Sequence, residues 1–417
     1  MQFPIYLLEF SKLERIMKRK AKILKKLILW VLIYEFLCIN GVNIYILNGM
    51  AETNSVLKYE VGDSVDSVDI SSDGNYVVVG CKDNNVYLFN NTNSTRLWKY
   101  DTLGEVRSVS MSSNGEYITV GSYNGRIYLF DIHNSTPIWY YFDAQSPVIS
   151  DDGQYIIAGG HWDNYVYFFN KSSNIPLWNY TTQSTWPSVT ISSNGQYIAV
   201  TENGDVHLFE KTNSTPLWSY EAEDHDPIVS IAISSDGQYI VGGSLDQVYF
   251  FNRSSPNPIW IYYIGGIVYG VSISSDGQYI AAHGWSEKVY LFNRSSSIPF
   301  LTYSTEGLIS DISISSDGAL IAVGSYDNKV YLFNTMNAKP LWRYPIGRGI
   351  GPLAISSNGN FVVVGSDGQV YIIPHTYQPP PNYEFIGAII IVIVGICVAV
   401  IFLYLLNYVV DKRLENR

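Results

Sequence analysis

The sequence predicts an all-β fold, an eight-bladed β-propeller, and three observations carry that expectation. A turn of the Ser-Ser-Asp-Gly type recurs with its glycine at Gly74, Gly115, Gly153, Gly195, Gly237, Gly277, Gly318 and Gly359, at intervals of 38 to 42 residues. Each interval holds four short strand-like segments, and a period near forty with four strands is the pattern of a propeller blade. The chain is rich in aromatic residues, with 34 tyrosines and an aromatic fraction of 15%, as wedge-shaped gaps between blades require.

One repeat shows how the residues specify the strands. Leu308 to Ile314 alternates as a first strand, and Ser316-Asp317-Gly318 supplies a turn whose glycine can take positive φ. Leu320 to Val323 is the second strand. Asp327-Asn328 interrupts the pattern before Val330-Tyr331-Leu332-Phe333, a third strand apolar on both faces. After a polar turn, Pro340-Leu341-Trp342-Arg343-Tyr344 is the fourth. We letter these strands A to D, innermost to outermost.

The D segment ends in Trp-x-Tyr at Trp98, Trp139, Trp178, Trp218, Trp260 and Trp342, with leucine in that place at Leu301. These tryptophans read as packing residues. No D segment follows Val370-Tyr371-Ile372-Ile373, whereas an unassigned one, Val56-Leu57-Lys58-Tyr59, precedes the first turn. The N-terminal strand is therefore expected to complete the last blade and close the ring.

The ends lie outside the repeat. Residues 1–50 begin with a basic stretch (Lys18, Arg19, Lys20, Lys22, Lys25, Lys26) followed by apolar residues from Leu27 to Leu47. That order reads as a signal peptide or a signal anchor, and Met17 is an alternative start. Residues 51–374 form the propeller, 375–384 a linker with Pro379-Pro380-Pro381, and 385–410 a transmembrane helix whose first 22 residues carry no charge. Residues 411–417 are a short tail expected in the cytoplasm. Basic clusters at both ends place the propeller outside the cytoplasm, at a cell membrane. Both termini and most C-to-D turns share one face of the disc, so that face is expected to look toward the membrane.

Charge narrows the partners. The first 50 residues carry eight basic and three acidic side chains and the last seven carry three and two, leaving the rest at −17 against −11 for the whole chain. So acidic a domain repels phosphate backbones, and nucleic acid is excluded as a partner. Cys38 and Cys397 lie in the apolar ends, and only Cys81 lies in the propeller, so no disulfide can staple it.

Asn-x-Ser/Thr occurs at Asn90, Asn93, Asn134, Asn170, Asn179, Asn213, Asn252 and Asn293. All but Asn179 fall in C-to-D turns, where asparagine and serine also serve local hydrogen bonding; they are candidate N-glycosylation sites.

No metal-ligating motif, phosphate loop or nucleophile motif stands out, and no cofactor is expected. The acidic stretch Glu221, Glu223, Asp224 and Asp226 could hold a hard cation, but reads first as a solvated loop. More informative is the residue closing each B strand, which varies while its surroundings repeat: Lys82, Tyr123, Trp162, Glu202, Ser244, Trp285, Tyr326 and Ser366. Together with the off-pattern Trp186, the positions Lys82, Tyr123, Trp162, Glu202, Trp285 and Tyr326 define a candidate partner-binding face, opposite the membrane-facing one.

Residues 55–374 resemble WD40-like and quinoprotein-like (PQQ-repeat) propellers. The spacing Asn334 to Trp342 and Asp131 to Trp139 is similar to the quinoprotein repeat, and Gly324-Ser325-Tyr326-Asp327 with the Ser-Ser-Asp-Gly turn is similar to WD40. No Trp-Asp ends strand C and no Gly-His precedes strand A. The resemblance implies the fold and leaves activity open. Quinoprotein dehydrogenases use an adjacent cysteine pair, calcium and a catalytic aspartate in long insertions, and no two cysteines are adjacent here. The expected function is a non-catalytic platform for a surface protein or glycan. A structural or assembly role in the cell envelope is the alternative, and a quinoprotein-like enzyme the remotest.

Overall fold

The computed structural model describes residues 56–378, apart from 93, 94, 161, 185, 223–225, 338 and 348. The described residues form thirty strands and no helix. Strands B and C are buried along nearly their whole length, as in Tyr117–Ser122 and Arg126–Asp131, because they are covered on both faces. D strands such as Trp178–Thr181 alternate half-buried and exposed, the period of two expected of a strand with one solvated face.

Hydrogen bonding joins these strands into seven sheets, not the eight that the repeat count predicts. Six sheets have four strands in A-B-C-D order, and the seventh has six. The reason lies in two uninterrupted 14-residue strands, Leu57–Ile70 and Phe361–Pro374, each of which runs through what the repeat pattern reads as a strand boundary. Leu57–Glu60 pairs with Gln369–Ile372, and after an irregularity Val65–Ile70 pairs with Val77–Cys81. The first and last repeats thus share one sheet across the closure. Counted by hydrogen-bonded sheets the propeller is seven-bladed, with the eighth repeat merged into the closing blade instead of forming a separate one.

The expected transmembrane helix is likewise not part of this fold. Among the described residues no helix is long and apolar enough to cross a membrane. Segments 1–50 and 385–410 lie outside the described residues. His375 and Tyr377, which the sequence places in the linker, pack on the propeller: Trp342 Nε1 donates to the His375 carbonyl at 2.9 Å, and Tyr377 meets Trp342 and Tyr344 edge-on.

The repeats are held to one another by a recurring latch. The indole N–H of Trp98, Trp139, Trp178, Trp218 and Trp260 donates to the carbonyl of Ile132, Lys171, Lys211, Arg253 and Arg294 respectively, each just past strand C of the next repeat, at 2.7–3.1 Å. In four of these pairs the accepting residue returns its cation to a B-strand tyrosine of the first repeat: Lys171 over Tyr117, Lys211 over Tyr155, Arg253 over Tyr197 and Arg294 over Tyr239. Trp178 also lies between Phe168 of its own repeat and Phe209 of the next. That B-strand tyrosine explains the invariant turn glycine. A Cβ at Gly195, where φ is +67°, would stand 2.4 Å from Tyr155 Cδ2, so both conformation and space demand glycine.

On the same side the turns join in a circle of backbone hydrogen bonds: Ser72 N to Ser113 O, Ser113 N to Asp151 O, and onward until Asn358 N reaches Ser72 O. At the centre, A strands of successive repeats lie side by side. Their inward side chains bridge the gaps: Ser67 Oγ accepts from Val109 N, Ser230 Oγ from Val271 N, Asp69 from Met111 N and Asp311 from Leu353 N. Burial pushes the Asp69 and Asp311 carboxyls up to about 6, against the opposing pull of those N–H donors.

Two outcomes are expected. Trp218→Phe keeps an aromatic ring but strands the Arg253 carbonyl, and should lower the unfolding free energy by about 1–2 kcal/mol in urea denaturation. Asp311→Ser installs the residue found at Ser67 and Ser230 and removes the titrating group. Because the folded carboxyl binds its proton more tightly than the unfolded one, wild-type stability should fall relative to the variant as pH rises from about 4 through 6. The relative change should be on the order of 2 kcal/mol, and a difference flat in pH would remove burial as the cause.

Candidate functional site

Antiparallel order within each sheet puts the B-to-C turns and the D-to-A connections at one edge, opposite the circle of A-to-B turns. The candidate face lies at this edge. Trp162 is 61% exposed and adopts φ of +75°, a left-handed conformation that costs a bulky residue free energy and is kept only where its surroundings impose it. Its ring meets Trp186 edge-on, at 5.4 Å and 80°, so two aromatics from successive repeats form one exposed unit. Trp186 also lines a cleft of about 220 Å³ together with Arg107, Tyr123, Gln145 and Ser146. The Arg107 guanidinium lies over the Tyr123 ring at 5.3 Å and pairs with Asp66 at 3.3 Å.

Three of the sequence candidates, Tyr123, Trp162 and Trp186, therefore converge on one patch spanning the second to fourth repeats. Trp285, 64% exposed, packs against Tyr269 at 5.4 Å and forms a separate patch. Tyr326 is exposed. Lys82 is drawn inward, its Nζ 3.5 Å from Asp66 Oδ1. Arg107, Gln145 and Tyr269 belong to this surface but lie in A strands. Nothing in the repeat pattern marked them.

Glu202 departs from the expectation of a surface group. It is 6% exposed, and His207 Nε2 stands 2.7 Å from its Oε1. Burial alone would raise its carboxyl, but the contact with His207, the Gln183 N–H and the Tyr180 hydroxyl hold it below the usual range. His207 in turn is held at Nδ1 by Ser219 Oγ, 2.7 Å away. With Asp205 these residues place three ligand-type atoms within 4.8 Å of one another.

The acidic loop expected to hold a cation does not gather as a unit among the described residues. Glu223 and Asp224 lie outside them. Glu221 is exposed and stands opposite Asp205 in the C–D ladder. Asp226 accepts from Ser244 Oγ at 3.3 Å and lies by Asp246, whose carboxyl is raised by burial and by the Asp226 charge. The Cys81 thiol is buried, which pushes it up to about 12 and leaves it a poor nucleophile at neutral pH.

The Asn-x-Ser/Thr sequences have a local role. The Asn170 side-chain oxygen accepts from Ser172 N and Oγ, Asn252 from Ser254 and Asn293 from Ser295, closing Asx turns. The residue between, Lys171, Arg253 or Arg294, is the carbonyl acceptor of the tryptophan latch. Asn90 closes the equivalent turn, Asn134 and Asn213 close an Asx turn three residues further on, Asn179 is exposed in strand D, and Asn93 lies outside the described residues.

Comparison with known proteins agrees with the architecture. The WD domain, G-beta repeat model matches residues 55–90, 96–131, 297–334 and 353–373, and a family of unknown function (DUF5711) matches 122–248. No curated protein matches. Among solved structures, BamB from Moraxella catarrhalis is similar over 76% of this chain and 100% of its own, at 15% identity and a TM-score of 0.61. The computationally designed Ika8 protein is similar over 76% of this chain and 97% of its own, at 13% identity and a TM-score of 0.64. The matched WD40 repeats and the likeness to these solved structures agree with a β-propeller fold of the WD40/PQQ-like kind.

Proposed function

We propose that this propeller is a non-catalytic platform that binds another protein through the face carrying Tyr123, Trp162, Trp186, Trp285 and Tyr326. The observation that carries the reading is the Trp162–Trp186 pair: two indoles more than half exposed, one in a costly left-handed conformation, beside a cleft walled by Arg107, which is ion-paired with Asp66 and Glu105. Large exposed aromatics next to an arginine are the side chains that anchor protein interfaces. The BamB-like architecture supports the same reading, as a frame that presents one rigid face. A glycan is the second occupant such exposed indole rings would suit. The basic clusters and apolar stretches of the two ends support an extracytoplasmic placement at a membrane, with the binding face outward.

The test is a crosslinking capture from native membranes with the full-length chain and with Trp162→Ala/Trp285→Ala. The double variant should lose a specific protein partner while its melting temperature stays within about 2 °C of the parent, since both rings are largely in water. Capture of the same material by both proteins would overturn the proposal, and binding to a glycan array alone would replace the protein with a sugar.

A further inference from the structure

We propose that Glu202, Asp205 and His207 bind one divalent transition-metal cation at the B-to-C turn of the fourth repeat. This site is independent of the aromatic face. Its starting point is a departure from the repeat. The second residue of the C-strand motif is tyrosine at Tyr87, Tyr128, Tyr167, Tyr249, Tyr290, Tyr331 and Tyr371, but histidine at His207. Elsewhere the tyrosine hydroxyl serves the framework, donating to the turn aspartate in Tyr87–Asp83, Tyr167–Asp163 and Tyr331–Asp327. In the fourth repeat histidine replaces the tyrosine and the turn is one residue shorter, so Glu202, at the end of strand B, takes the turn aspartate's place as the neighbour of the C-strand side chain.

The backbone gathers the three side chains. Asn203 and Gly204, both at positive φ, make a tight turn that sets Glu202 directly opposite Asp205 in the B–C ladder. Two carboxylates facing each other across a hairpin repel, and a cation between them reverses that sign. His207 follows Asp205 by two residues on the same strand and so shares its face. Glu221, opposite Asp205 on the other side, adds further negative potential.

The histidine supplies the second, independent observation. It is 6% exposed, yet its Nε2 makes no hydrogen bond, although Glu202 Oε1 is only 2.7 Å away. The imidazole nitrogen and the carboxylate oxygen are both ligand types, buried within reach of one ion. The other ring nitrogen is held by Ser219, and Glu202 is held by the Gln183 N–H, the outer bonds that orient metal ligands. Asp205 is half-buried and opens the site to solvent. One imidazole and two carboxylates suit zinc, cobalt or manganese better than calcium, which takes six to eight oxygens. Bonds of about 2.0–2.2 Å require ligand atoms up to ~4.4 Å apart, so a small rotation of Asp205 completes the set.

The experiment uses the full-length chain stripped with chelator, then titrated with Co²⁺ and Zn²⁺. Expected are about one equivalent of saturable Co²⁺ with ligand-field absorption and a Zn²⁺-dependent rise in melting temperature. His207→Tyr, which restores the residue of the other repeats, and Glu202→Gln should each weaken Co²⁺ binding by tenfold or more, with the metal-free His207→Tyr chain still folded. Should either variant fail to fold, Asp205→Asn, on a partly solvated side chain, gives the same comparison. Absence of saturable binding, or binding that the folded variants leave within about twofold, would overturn the site and leave Glu202–His207 as a structural substitute for the tyrosine–aspartate pair.

Discussion

Everything else in the molecule depends on the contact by which one repeat grips the next. A single repeat buries its B and C strands only if other repeats cover both sheet faces, so its stability is set at its borders. The latch supplies this with a hydrogen bond, a stack and a cation over a ring, all converging on the turn after strand C. An indole N–H buried against a neighbour needs an acceptor, and a backbone carbonyl in a tight turn has fixed geometry. The same contact therefore repeats with nearly constant length around the ring.

This constraint accounts for features that invite functional readings. The Asn-x-Ser sequences at Asn170, Asn252 and Asn293 recur because the asparagine closes the turn whose carbonyl accepts the indole, and the basic residue after it covers a tyrosine next door. The turn glycines recur because they lie against the first B-strand side chain of the preceding repeat, a tyrosine in most repeats, Phe361 at Gly74 and Leu320 at Gly359. What repeats in this chain is explained by the ring, and recognition falls to what does not repeat. Trp162, Trp186, Trp285 and His207 are all departures from the pattern, and all lie along the edge where loops can vary without breaking a latch.

Ring closure follows a different rule from the other borders. Elsewhere a D strand and the next A strand are separate elements joined by a loop. At the closure one strand, Leu57–Ile70, serves as both, and Phe361–Pro374 runs through its own B-to-C boundary. Continuous pairing welds the ends of the ring into one sheet. With no disulfide available in the propeller, this weld and the docking of His375 and Tyr377 on Trp342 and Tyr344 hold the ends of the circle.

The sequence by itself determined the strand order, the turn glycines, the packing role of the D-strand tryptophans and the polarity of the candidate face, because each is written in residues that recur at a fixed period. Only the tertiary structure decided the rest. The number of sheets depends on whether hydrogen bonding continues through a junction, which no periodicity encodes. Whether a variable residue faces water or the interior depends on its neighbours and on turn length: Trp162 lies in the turn and stands exposed against Trp186, whereas Glu202, before a shorter turn, still belongs to strand B and turns inward to His207. The cleft beside Tyr123 likewise exists only because side chains from three successive repeats meet there, tens of residues apart along the chain and adjacent only once the repeats pack side by side.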